Sequence, residues 1–123
     1  MNTDASVSSS GAIGGGILRS AEGDLVFAFY KEFGDQDVLM AEALTLLEGL
    51  MLCRQGNHRT CQIEVDSRVL VSLVSSDAPS RWPLCNIIRQ IKAMVAALDA
   101  SIAHIFREAN SVADALASSK LPS

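Results

Sequence analysis

Aromatic side chains are scarce. One Trp, one Tyr and four Phe make up 5% of the 123 residues. A core with so few of them must rest on Leu, Ile, Val, Ala and Met. Long apolar runs are absent too. No stretch of about 18 uncharged apolar residues occurs, which excludes a membrane-spanning helix as a sequence reading. Cysteines number three, Cys53, Cys61 and Cys85. An odd count without C-x-x-C spacing or a nearby His pair argues against a disulfide framework and a zinc site. The three read instead as small buried hydrophobes. No basic segment followed by an apolar stretch opens the chain, so no secretory signal is read. Free thiols suit the reducing interior of a cell, nucleus or cytoplasm alike. Basic residues are in deficit. Ten Lys and Arg face fourteen Asp and Glu, a net charge of −4. Proteins that bind nucleic acid by neutralising phosphates are usually basic. Bulk charge alone therefore disfavours such a partner, unless several carboxylates serve metal ions, since a bound divalent cation inverts the local electrostatics.

What is present is an ordinary globular composition. Apolar residues make up 49% and charged residues 20%, too apolar for a disordered chain. The length suits one domain. Residues 1–118 are expected to form it, and 119–123 to be a flexible polar tail. Punctuation divides the domain. Met1–Val7 can end a strand, Ser8–Gly11 forms a turn, and Ala12–Ser20 holds three consecutive glycines, which permit a bulge or a close backbone approach. A hairpin turn at Ala21–Asp24 leads into Leu25–Phe33, a run of aromatic and β-branched residues that reads as a strand. The period then changes to 3.6 over Asp35–Gly56, with Val38, Leu39, Ala43, Leu46, Leu47, Leu50 and Met51 on the apolar stripe. Asp35 or Asp37 can cap that helix, and Gly56 can end it. Thr60–Val65 reads as a strand, Ser67–Val74 as a short helix, Leu84–Leu98 as a long one, Ser101–Phe106 as a strand and Asn110–Ser118 as a final helix. The order βββ-α-β-α-α-β-α predicts an α/β fold: three antiparallel strands, then parallel ones joined by right-handed crossovers, in a five-stranded mixed sheet flanked by helices.

Four acids stand out by context. Asp4 lies at the end of the first strand, Glu42 between two alanines of the first helix, Asp66 where a strand meets a helix, and Asp114 in the first turns of the last helix. A carboxylate in such a place costs several kcal/mol, on the order of 2–7, unless something pairs with it. Sites of α/β sheets gather at the carboxyl ends of parallel strands. Hard cations give a reason to cluster carboxylates there, because Mg²⁺ takes oxygen ligands and leaves room for phosphate oxygens. Two such ions about 3.5–4 Å apart can clamp both the attacking and leaving oxygens of a phosphodiester. Each acid also has a plainer explanation. Asp66 can be a helix N-cap, Asp114 can favour a helix dipole, Asp4 can be a turn residue and Glu42 a solvated one. Glu48 is a control, since it lies about 240° around the helix from Glu42 and the two cannot face one site.

Five ordered blocks carry a family resemblance. They are Asn2-Thr3-Asp4-Ala5-Ser6, Gly14-Gly15-Gly16-Ile17-Leu18-Arg19, Ala41-Glu42-Ala43-Leu44, Ile63-Glu64-Val65-Asp66-Ser67, and Arg107-Glu108-Ala109-Asn110 with Ala113-Asp114-Ala115-Leu116-Ala117. At these spacings the chain resembles the type 1 ribonuclease H family, and more narrowly the plant domains of that kind related to reverse-transcriptase retroelements. The resemblance implies the same βββ-α-β-α-α-β-α fold. It implies hydrolysis of the RNA strand of RNA–DNA hybrids, by an Asp-Glu-Asp-Asp quartet that falls on Asp4, Glu42, Asp66 and Asp114. It implies two Mg²⁺ ions, with Mn²⁺ as the other candidate, and products ending in a 5′-phosphate and a 3′-hydroxyl. Ala5, Ser6, Ser67, Arg107 and Asn110 fall at positions expected to touch substrate. With the quartet set aside, ten acids balance ten bases.

The chain also departs from that family. Only three residues precede Asp4, so the first strand looks trimmed at its start. Asp4 is followed by Ala5 where many members have Gly. Val38 and Leu39 stand where relatives carry Asn residues that grip the hybrid, and no basic insertion follows Leu84–Leu98. His104 precedes Asp114 by ten residues, in a stretch that reads as strand, and His58 reads as a solvated loop residue. These departures define an alternative: a catalytically weak, retroelement-derived module of the same fold that binds nucleic acid or protein. No oligomer is indicated.

Overall fold

The computed structural model describes residues 1–105. Five strands and three helices follow in order: β1 Asn2–Ser8, β2 Gly11–Arg19, β3 Leu25–Gly34, α1 Val38–Gln55, β4 Gln62–Val65, α2 Arg68–Ser75, α3 Leu84–Ala97 and β5 Ser101–His104. The strands form one sheet in the order β3-β2-β1-β4-β5. β1, β2 and β3 pair antiparallel through short turns. β4 pairs parallel with β1 on one side and with β5 on the other. The mixed sheet expected from the alternation of periods is therefore present. The expected helix at 110–118 and tail at 119–123 lie outside the described residues, with Arg107, Asn110 and Asp114. Among the described residues, no helix is long and apolar enough to cross a membrane.

α1 is the organising helix. Asp37 caps its start, accepting a hydrogen bond from the Met40 N–H at 2.7 Å. Leu46, Leu50 and Cys53 are wholly buried against Met1, Leu18, Ile63, Val65, Ile88 and Ile91. Its buried face is wider than the apolar stripe of the sequence, because Thr45 and Gly49 are buried as well. The Thr45 hydroxyl donates to the Ala41 carbonyl at 2.7 Å, which satisfies it inside the helix. The glycine run of β2 explains how α1 comes so close. A Cβ on Gly14 would meet Thr45 Oγ1 at 1.7 Å, and one on Gly16 would meet the Phe29 ring at 2.6 Å. Gly14 thus serves the close approach of helix to strand, while Gly16 makes room for the ring of its cross-strand neighbour on β3.

Gly56 ends α1 as expected, with an ordinary φ of −85°, and the left-handed residue is Asn57 beside it at φ 57°. Asn tolerates that region because its short polar side chain bonds locally. β5 spans Ser101–His104, and the Ile105 N–H beyond it still donates to the Val65 carbonyl at 2.9 Å; Phe106, the expected end of that strand, lies outside the described residues. His58 is half-buried and sits 6.1 Å from the Phe27 ring, packed rather than solvated.

Candidate active site

β1 and β4 pair over only two residues, Asn2 with Glu64 and Thr3 with Val65. Beyond that point β4 ends and the chain turns into α2, while β1 continues beside β2. The next residue on each strand is an aspartate, Asp4 and Asp66. Asp4 is thus not at the end of β1, as expected, but third in a seven-residue strand. It stands at the end of the parallel pairing, which is the physically relevant edge. Ala5 pairs with Gly14, where Thr45 of α1 fills the space a Cβ would take.

Glu42 comes from the second turn of α1 and meets the two aspartates where β1 and β4 part. Carboxylate oxygens of Asp4, Glu42 and Asp66 all lie within 4.8 Å of one another. Asp4 is 4% exposed, and the Oδ2 atoms of Asp4 and Asp66 are both withdrawn from water. Thr3, Val65, Ser67 and Leu70 complete the wall of this small depression. Three carboxylates at such range repel strongly in a partly buried place. A hard cation relieves that repulsion, and an all-oxygen donor set is the kind that Mg²⁺ or Mn²⁺ accepts. The residues present therefore fit a divalent metal.

The plainer explanation of Asp66 fails on the geometry. The N-cap of α2 is Ser67, whose Oγ accepts from the Leu70 N–H at 3.2 Å. Asp66 is left outside the helix with its carboxylate in the cluster. Glu48 behaves as the control requires, since it pairs with Lys31 of β3 at 3.3 Å. His104 is a strand residue, opposite Val65 in register. Ala5 is buried against Ala12 and Ala41, so only its backbone can face a ligand. Ser6 is half-buried in β1. The structure thus assembles three of the four expected acids. Sequence reasoning missed Thr3, a buried threonine on the wall of the depression. Its signal was its place directly before Asp4.

Comparison with known proteins agrees with this geometry. The reverse-transcriptase-like family matches residues 2–120. A curated Arabidopsis thaliana protein, named as a ribonuclease H protein, is 31% identical over 107 residues. That match covers 86% of this chain and 17% of the relative, so the chain spans about a sixth of that protein's length. The crystal structure of RNase H1 from the archaeon Halobacterium salinarum superposes with a TM-score of 0.85 at 22% identity, covering 93% of this chain and 89% of the other. LC11-RNase H1, solved in complex with an RNA/DNA hybrid, superposes with a TM-score of 0.80 at 20% identity, over 93% of this chain and 89% of that one. With its central parallel pair opening onto three carboxylates, this chain belongs to the reverse-transcriptase-like family and has the ribonuclease H fold.

Proposed function

We propose that this domain is a metal-dependent hydrolase of the RNA strand in RNA–DNA hybrids. The observation that carries the reading is the convergence of Asp4, Glu42 and Asp66 from a strand, a helix and a strand end. When bound, a pair of Mg²⁺ ions neutralises charge on the phosphodiester and activates the attacking water. Asp4 holds its carboxylate still, because β2 pairs with its backbone and its side chain is buried. Asp66 faces it from the end of β4, and together they are the most direct metal holders. Glu42 helps hold one ion and orients the ribose side. Asp114, outside the described residues, is the fourth acid that the family resemblance assigns to the metal site. Ser6, Ser67, Arg107, Asn110 and the Ala5 backbone are the proposed contacts to the hybrid. The crystallised LC11 protein holds such a hybrid, which supports that choice of partner.

The test is cleavage of an end-labelled RNA–DNA hybrid in Mg²⁺, repeated in Mn²⁺, by the parent and by Asp66→Asn. Even the outer partners of metal ligands cost roughly 10–100-fold when removed. Loss of a direct ligand should exceed that, with the fold retained. A folded parent that binds hybrid without cutting it in either metal would establish the binding module instead. Val38, 52% exposed at the start of α1, is the residue that favours this second reading, because it offers the hybrid no polar grip.

A further inference from the structure

The opposite ends of the same three elements bring sulfur together. Cys61 Sγ lies 3.6 Å from Cys53 Sγ, and Cys53 Sγ lies 3.9 Å from Met1 Sδ. Cys53 sits in the last turn of α1 and Cys61 directly before β4. Neither takes part in the carboxylate cluster. Cys53 is fully buried. Cys61 is 8% exposed, and it lines an open groove with Leu18, Arg19, Thr60 and Gln62. Of the two, Cys61 is the one that borders the groove and so the one nearer to an incoming reagent. A disulfide bond is about 2.05 Å long, so the sulfurs must close by roughly 1.6 Å.

We propose that Cys53 and Cys61 are a dithiol modification site, oxidised to an intramolecular disulfide by a low-molecular-weight disulfide such as oxidised glutathione. Cys61, deprotonated, attacks one sulfur of the glutathione disulfide. A Cys61–glutathione bond forms, and one glutathione thiolate leaves. Cys53 then gives up its proton and attacks Cys61 Sγ. The Cys53–Cys61 bond forms, and the second glutathione thiolate leaves. Two protein thiols are oxidised, one glutathione disulfide is reduced, and the two protons end on the glutathione thiols. The second step is slow, because burial holds the Cys53 thiol above its ordinary value. The bridge ties α1 to β4 at the end away from Glu42 and Asp66. Its formation needs neither metal nor nucleic acid, so its test is independent of the hydrolase reading.

The experiment uses the full chain carrying Cys85→Ser, which removes the third thiol. Native protein is incubated with oxidised glutathione, then denatured in an alkylating reagent, digested and weighed. The expected product joins the Cys53 and Cys61 peptides, lacks two hydrogens and carries no glutathione. Cys53→Ala in the same background should instead trap a stable glutathione adduct on Cys61. Recovery of both thiols fully alkylated from native protein would overturn the proposal, and so would a lasting Cys61 adduct beside a free Cys53. The thiol count on the protein that keeps Cys53 decides the matter even where Cys53→Ala fails to fold.

Discussion

β1, α1 and β4 carry a chemical cluster at each end, and the two clusters are opposites. At one end Asp4, Glu42 and Asp66 gather three carboxylates. At the other Met1, Cys53 and Cys61 gather three sulfurs. The elements are the same, so the difference comes from how they part. β1 and β4 separate after Thr3 and Val65, which leaves an opening where charged oxygen can meet water and cations. At the sulfur end α1 closes down on the sheet, and Cys53 and Met1 join the main apolar core. Thiols tolerate that place because their neutral form does. The Met1 ammonium is the exception. Burial lowers its pKa, although it donates a hydrogen bond to the Gln62 carbonyl.

The largest expected effect breaks the oxygen end. Mg²⁺ binding to native protein alone should raise the melting midpoint of the parent by mass action, with about 2.7 kcal/mol gained at a hundredfold excess over Kd. Asp4→Asn should abolish most of that dependence, since it removes the donor fixed most firmly by the sheet. Calorimetry with and without Mg²⁺ reads it directly. An unchanged Mg²⁺ shift in Asp4→Asn would remove Asp4 from the metal site.

Next in size is the joint between the two ends. Gly14→Ala drives a Cβ to within 1.7 Å of Thr45 Oγ1, and overpacking of this kind costs about 1–3 kcal/mol. Adding Thr45→Ala should recover part of the loss, because the closest atom goes and the Thr45 Cβ remains at 2.7 Å. Urea titrations of the two single variants and the double variant measure the coupling. Strict additivity would mean that α1 does not rest on Gly14.

The sulfur end is sharpened by pH. The thiol of Cys53 ionises near 9.0 when the chain is unfolded and is raised to about 12 in the folded state, mainly by burial. Between these values the unfolded chain has released a proton that the folded one keeps. Stability therefore falls as pH rises from about 9 towards 12, by up to about 1.4 kcal/mol per pH unit. The contribution is fully present below pH 9. Cys53→Val under reducing conditions should flatten that part of the profile. Equal slopes in parent and variant would mean that other groups set the alkaline limb.

How much of this was legible in the sequence depends on the range of the interaction. Periodicity named Leu46, Leu47 and Leu50 as core, because a helix repeats its apolar stripe locally. It could not name Thr45 and Gly49, whose burial depends on glycines and a methionine far away in the chain. Asp66 looked like a cap because it precedes a helix, yet only the backbone path shows that Ser67 takes that role. The acids themselves were found by context and by family pattern, while their common edge comes from where parallel pairing stops. The thiol pair left no sequence signal, since its members lie on a helix and before a strand with a turn between them.

The smallest effect is a negative one. Glu48 lies on α1 like Glu42 but turns towards β3, where it meets the exposed Lys31 at 3.3 Å. An ion pair with one partner so exposed contributes little, about 0–1 kcal/mol. Glu48→Gln should therefore shift the urea midpoint barely, and it should leave the Mg²⁺-dependent rise of the melting midpoint intact. Glu42→Gln should reverse that pattern, with the Mg²⁺ rise reduced. Both substitutions remove one negative charge from the same helix, so net charge cancels in the comparison. A Mg²⁺ response weakened equally by both would mean that the cation answers to the general field of the helix rather than to a site built from three carboxylates.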